Sequence, residues 1–154
     1  MSGTVYVVDD DASFRIAVQR RLEQTGYRVV TYASAEQLLE QRPDENETGC
    51  ILLDVRMAGL SGPALHCHLI ELGSTLPILF LTGHVDVSAI VNAIKAGADD
   101  FLMKPVKSDK LLPAIERALA RYRERWSVIY GYVDVTWIRF DALRKQQLGD
   151  GFGR

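Results

Sequence analysis

Five short, continuous apolar runs alternate with stretches of helical periodicity over the first two thirds of the chain. The runs are Thr4–Val8, Arg28–Tyr32, Cys50–Leu53, Pro77–Leu81 and Asp100–Met103. None alternates polar with apolar residues along its length, as a strand with one wet face would. Runs of this kind fit strands covered on both faces. Between them, Phe14, Ala17, Val18 and Leu22 recur at helical spacing and end at Gly26. Ser34-Ala35-Glu36-Gln37 reads as a capping box, with Leu38 and Leu39 turned inward. Leu65, Leu69 and Leu72 mark a third helix, ended by Gly73. Val87, Ile90, Val91 and Ile94 mark a fourth, ended by Gly97. Leu112, Ile115 and Leu119 mark a fifth, opened by Ser108. Five strands alternating with five helices predict an α/β fold, a doubly wound parallel sheet with helices on both faces.

The 154 residues suffice for one such domain and a short excess. We divide the chain at 125: residues 1–125 hold the βα unit and 126–154 form a C-terminal tail or linker without a clear pattern. In that tail, residues 128–133 suit a strand or a distorted helix, 141–148 a short helix, and 149–153 a glycine-rich end. A net charge of −2 gives no general attraction to nucleic acid or to acidic membranes. No apolar run approaches the ~20 residues of a membrane span, and the N-terminus opens directly into a strand, unlike a secretion signal. Two cysteines, Cys50 and Cys67, are too few for a disulfide framework and suit a reducing, cytoplasmic setting.

In an open parallel sheet, ligands bind beyond the carboxyl ends of the strands. The first strand is followed there by Asp9, Asp10 and Asp11, the third by Asp54, the fourth by Thr82, and the fifth by Lys104-Pro105. Clustered carboxylates repel one another unless a cation sits among them. Hard oxygen ligands point to Mg2+, which takes one or two carboxylates and fills its shell with water and phosphate oxygens. A lysine and a threonine hydroxyl on the same rim suit a phosphoryl group, whose transfer depends on positioning and charge neutralisation. Each element has a plainer reading. The three aspartates can cap the following helix, Asp54 and Thr82-Gly83 can be turn residues, and Lys104-Pro105 can be a loop. Their joint placement at four strand ends is harder to explain that way.

These segments resemble the response regulator receiver family of two-component systems, most closely its FixJ-like branch. The matching stretches are Val7-Val8-Asp9-Asp10-Asp11, Leu52-Leu53-Asp54-Val55-Arg56-Met57, Leu81-Thr82-Gly83-His84, Ala96-Gly97-Ala98-Asp99-Asp100-Phe101 and Lys104-Pro105. They span residues 4 to about 120. The resemblance implies a flavodoxin-like (βα)5 sheet of order 2-1-3-4-5. It implies Asp54 as phosphoacceptor for a sensor histidine kinase. Mg2+ would be held by Asp9, Asp10, Asp54 and the main-chain carbonyl of Arg56. Thr82 and Lys104 would bind the phosphoryl group, Phe101 would be the aromatic switch residue, and the bond to Pro105 would be cis. It also implies that phosphorylation alters the face built from the fourth helix, fifth strand and fifth helix, pairing two chains as a homodimer to control a transcriptional output. DNA would be reached only through an output domain, of which residues 126–154 show no helix-turn-helix pattern. One departure stands out: the family often carries Met-Pro after the acceptor strand, where this chain has Met57-Ala58.

Other candidates have simpler readings. His66-Cys67-His68 looks metal-like, but helix neighbours two apart do not share a face. His84 reads as a solvated loop residue. Arg117, Arg121, Arg123 and Arg125 read as a basic helix end, with a nucleic-acid patch as the minority reading. Two other functions remain open from sequence. One is a Mg2+-dependent phosphohydrolase passing through an aspartyl-phosphate, against which Arg56 stands where such enzymes commonly carry a second acid. The other is a stand-alone receiver acting by protein–protein interaction, with or without phosphorylation.

Overall fold

The computed structural model describes residues 3–83 and 87–130. His84 and the sequence readings of 131–154 lie outside those residues. The elements run β1 (Thr4–Val8), α1 (Ala12–Gln24), β2 (Arg28–Tyr32), α2 (Ala35–Glu40), β3 (Gly49–Asp54), α3 (Gly62–Glu71), β4 (Ile78–Thr82), α4 (Val87–Lys95), β5 (Asp100–Met103) and α5 (Ser108–Tyr130). All strand pairs are parallel, in the order β2-β1-β3-β4-β5. The alternation of runs and helices predicted the parallel sheet, and the family resemblance implied this flavodoxin-like order.

Alternate residues of each strand enter different cores, which is why the apolar runs are continuous. On one face Val5, Val7, Cys50, Leu52, Leu79 and Leu81 pack with Val18 and Leu22 of α1 and with Leu111, Ile115 and Leu119 of α5. On the other, Tyr6, Val8, Ile51, Leu53, Ile78 and Phe80 pack with Leu38 of α2 and with Leu65 and Leu69 of α3. Burial pushes the Cys50 thiol well above the usual thiol range, and both cysteines are free.

Local signals act largely as read. Ser34 caps α2 by accepting from the Gln37 N–H at 3.1 Å. The return bond of the box falls one residue earlier than in the usual motif, with the Gln37 side chain accepting from the Ala33 N–H at 2.7 Å. Gly26, Gly73 and Gly97 all adopt positive φ after their helices, where a Cβ would be strained.

Three readings are corrected. Ala17 and Leu72 face solvent, not the core. In α4 only Ala93 is buried, while Val87, Val91 and Ile94 of its apolar stripe are exposed. The fifth helix does not fade at Arg125. It continues to Tyr130, and Trp126 is buried against Tyr122, their ring centroids 6.0 Å apart.

Candidate functional site

Strand register builds the site. Val8 pairs with Leu53, so the next residues, Asp9 and Asp54, emerge side by side where β1 and β3 end. Asp54 in turn pairs with Leu81, and Thr82 pairs with Met103, which places Lys104 beside the rim. The Lys104 N–H donates to the Thr82 carbonyl at 2.8 Å, extending the ladder one step beyond the strand. A slip of one residue in any of these pairings would turn the site residue onto a helix-covered face.

Asp9, Asp10 and Asp54 each present a carboxylate oxygen, all within 4.8 Å of one another, with Asp9 and Asp54 buried and Asp10 exposed. The third aspartate of the run has the plainer role. Asp11 caps α1, accepting from the Phe14 N–H at 3.3 Å. Asp9 is fully buried and heavily anchored. One of its carboxylate oxygens accepts from the Asp11 N–H at 2.9 Å and the other from Lys104 Nζ at 2.5 Å. The same Nζ lies 3.6 Å from Asp54. Asp10 accepts from the Ala58 N–H at 3.3 Å.

Asp54 is the electrically stressed member. Burial, reinforced by Asp9 and then Asp10, pushes its pKa up from 3.8 to about 6, against the opposing pull of Lys104. One ammonium, shared by Asp9 and Asp54, beside three carboxylates leaves negative charge uncompensated, and hard oxygens around a common point are the ligand set a divalent cation of the Mg2+ class takes. The residues present therefore fit such an ion. Among the described residues no other cluster of this kind occurs.

Thr82 ends β4 and is buried. Phe101 is half-buried, its ring 6.1 Å from that of Phe80. The Lys104–Pro105 bond is cis. Arg56 lies in the loop two residues beyond Asp54 and is exposed.

Several supports were not read from the sequence. Phe14, read only as part of the helical spacing of the first helix, lies under Lys104, with Nζ 4.3 Å from its ring centroid. Arg15 donates to the Asp9 carbonyl at 2.6 Å. Glu36 of α2 accepts the Leu60 N–H at 3.0 Å, which lowers its pKa and fixes the loop after β3. Gly62 starts α3 so close to Asp54 that an added Cβ would lie 2.2 Å from the Asp54 carbonyl oxygen. A glycine-proline pair at a helix start was visible as Gly62-Pro63, but the contact was not.

Two minor candidates resolve without chemistry. His66 is buried with its ring at 73° to that of Phe80, and Cys67 and His68 are exposed, so the three do not converge. Three arginines of α5 reach Asp99 and Asp100, where β5 begins: Arg117 bonds Asp100 at 3.1 Å, Arg125 bonds the Asp99 carboxylate, and Arg121 donates to the Asp99 carbonyl at 2.9 Å.

The geometry agrees with sequence comparison. Residues 5–116 match the family model described as "Response regulator receiver domain". The chain belongs to the response regulator receiver family. This receiver is 42% identical over 122 residues to Nodulation protein W of Bradyrhizobium diazoefficiens, covering 79% of this chain and 53% of the relative. It is 41% identical over 117 residues to the transcriptional regulatory protein FixJ of the same organism, covering 76% and 57%. It thus spans about half the length of the curated relatives it matches. Among solved structures, FixJ-N superposes with a TM-score of 0.72 at 37% identity over 78% of this chain and 95% of that one. The response regulator StyR superposes with a TM-score of 0.78 at 39% identity, covering 85% and 66%. Receiver domains generally bind Mg2+ at an acidic pocket, and this receiver has a cluster of aspartates, Asp9, Asp10 and Asp54. No helix among the described residues is long and apolar enough to cross a membrane.

Proposed function

We propose that this receiver is a phosphorylation switch in which Asp54 accepts a phosphoryl group from a sensor histidine kinase. The reading is carried by one observation: Asp9, Asp10, Asp54 and Lys104 converge at one sheet edge. An Asp54 carboxylate oxygen attacks phosphorus, the new O–P bond forms as the donor's N–P bond breaks, and the imidazole takes the electron pair. Asp9, Asp10, Asp54 and the Arg56 main-chain carbonyl would hold Mg2+, which when bound neutralises charge on the carboxylates and phosphoryl oxygens. Lys104 moves its ammonium from Asp9 toward the new phosphoryl group, and the Thr82 hydroxyl donates to it. With its pKa near 6, Asp54 is mostly ionised at pH 7 and available as a nucleophile.

The first test is chemical. Incubation with a small phosphoryl donor such as acetyl phosphate and Mg2+ should add one acid-stable, base-labile phosphoryl group, mapped to Asp54 by mass spectrometry. Labelling at another residue, or none in the presence of Mg2+, rejects the assignment.

The output surface follows from the exposed stripe. Val87, Val91 and Ile94 of α4 and Met103 of β5 leave apolar side chains in water, close to the Thr82 and Lys104 ends that respond to phosphate. In our reading this face, continued by α5, pairs two phosphorylated chains about a two-fold axis. The output is transcriptional, as in the relatives named transcriptional regulators, with DNA contacted through a separate domain and the protein acting in the cytoplasm. Residues 1–125 carry the receiver and 126–154 the connection onward, with the first turn of that connection continuing α5. Sedimentation should show a monomer that doubles in mass on adding beryllofluoride and Mg2+. An unchanged mass at concentrations up to the millimolar range overturns phosphorylation-driven pairing.

A further inference from the structure

We propose that the main-chain N–H of Ala58 is a positioning group that holds Asp10 in its cation-binding orientation; the inference rests on the Mg2+ reading of the site. The three carboxylates are not held alike. Asp9 is buried and anchored through both oxygens, and Asp54 is buried beside Lys104. Asp10 is exposed. An exposed aspartate left to itself spreads over several rotamers, and ordering it on metal binding has an entropic cost. The bond from the Ala58 N–H to Asp10 Oδ2, at 3.3 Å, removes much of that freedom beforehand. It does so in the orientation that leaves an Asp10 oxygen within 4.8 Å of those of Asp9 and Asp54. A carboxylate has about four lone-pair sites, so accepting one N–H leaves room for a cation.

The donor is presented by a loop fixed on both sides. Before it, Val55 N–H donates to the Leu81 carbonyl at 2.9 Å. After it, Leu60 N–H is held by Glu36, and Gly62 N–H donates to the Val55 carbonyl at 3.1 Å. Gly59 makes the Glu36 contact accessible: it has φ +77°, and a Cβ there would come within 2.7 Å of Glu36 Oε2. The bond requires only that residue 58 own an N–H. Every residue but proline does, and alanine stands here in the place where proline is frequent in the sequences this chain resembles.

The test is a Mg2+ titration of the full chain, followed by amide chemical shifts and by calorimetry. Ala58→Pro should weaken Mg2+ binding about three- to tenfold, as befits one exposed hydrogen bond to a charged group. Ala58→Gly keeps the N–H and should stay within about twofold of wild type. Replacing Ala58 by lactic acid, an amide-to-ester change, removes the N–H without a ring and should match Ala58→Pro even if that variant folds poorly. In an Asp10→Ala background the Ala58→Pro change should have no further effect. A metal-free readout stands beside these: the Ala58 amide proton should shift upfield in Asp10→Ala. Wild-type affinity in the ester variant, or equal weakening by Ala58→Gly, overturns the positioning role while leaving the Mg2+ site intact. A wild-type chain that binds no Mg2+ overturns the site reading and the inference with it.

Discussion

Asp54→Asn will be more stable than the wild-type chain at pH 7.5 in EDTA, and it will take up no phosphoryl group. The stability gain follows from the sign of the pKa change. Folding raises Asp54 from 3.8 to about 6, so the folded state holds this proton more tightly than the unfolded chain. Its contribution to stability is therefore full below the ordinary value and is lost as pH rises from there through about 6. At neutral pH the ionised group costs up to about 3 kcal/mol, and relaxation around it brings the figure to about 1–2 kcal/mol. Asparagine keeps the shape and removes the charge from beside Asp9, Asp10 and the buried strand end. Urea unfolding in EDTA should show that gain at pH 7.5 and about a third of it at pH 4.5, where the wild-type carboxyl is already largely protonated in the folded state. Millimolar Mg2+ should narrow the difference by stabilising the wild type, since a ligand that binds only the folded chain raises its stability. A variant equal to or weaker than wild type in EDTA at pH 7.5 would contradict this electrostatic account of the site. Labelling of the variant at the wild-type rate would contradict the acceptor assignment separately.

The largest destabilisation is expected from Gly62→Ala. Its added carbon would lie 2.2 Å from the Asp54 carbonyl oxygen and 3.0 Å from the carbonyl carbon. Those are backbone atoms of a buried strand end, so no side chain can swing away to make room. Either the start of α3 lifts from the sheet or the end of β3 shifts. The cost should reach about 3 kcal/mol or more, at the top of the range for overpacked sites. Whatever structure survives should phosphorylate at least tenfold more slowly, because displacement of Asp54 disturbs a reaction that depends on positioning. Gly83→Ala is the control. A Cβ there meets nothing within 4 Å, and stability should stay within about 0.5 kcal/mol of wild type, as at ordinary surface positions. Equal stability of the two variants would show that α3 can retreat from β3 at no cost.

The sheet and its acidic rim were legible because both depend on local pattern. A buried parallel strand must be apolar on both faces, so its ends are marked by the first charged residue, and here those residues are Asp9, Asp54 and Lys104. Contacts between elements distant in sequence were not legible. Phe14 beneath Lys104, Glu36 on the loop after β3, and Gly62 against Asp54 each join segments whose proximity only the fold determines. Arg121 and Arg125 of α5 were misjudged for the same reason, since their partner Asp99 is more than 20 residues away in sequence. Helical period shows that α4 has an apolar stripe but not what covers it, and in this chain water does. The continuation of α5 was present in the spacing of Leu119, Tyr122 and Trp126, but the interleaved arginines obscured it.

That continuation fixes a direction in space. At 1.5 Å per residue, the 23 residues of α5 measure ~35 Å, while a strand of five residues measures ~17 Å. The helix therefore outruns the sheet it packs on. Its overhang is tied down: Tyr122 is fully buried and bonds the Glu45 carbonyl at 2.5 Å, Trp126 is nearly so, and Arg125 reaches back to Asp99. A chain leaving a domain at a frayed helix end can point anywhere, like a tether. Here the heading of α5 as far as Trp126 is set by the same core that holds β3, so α5 is a mast stepped into the hull.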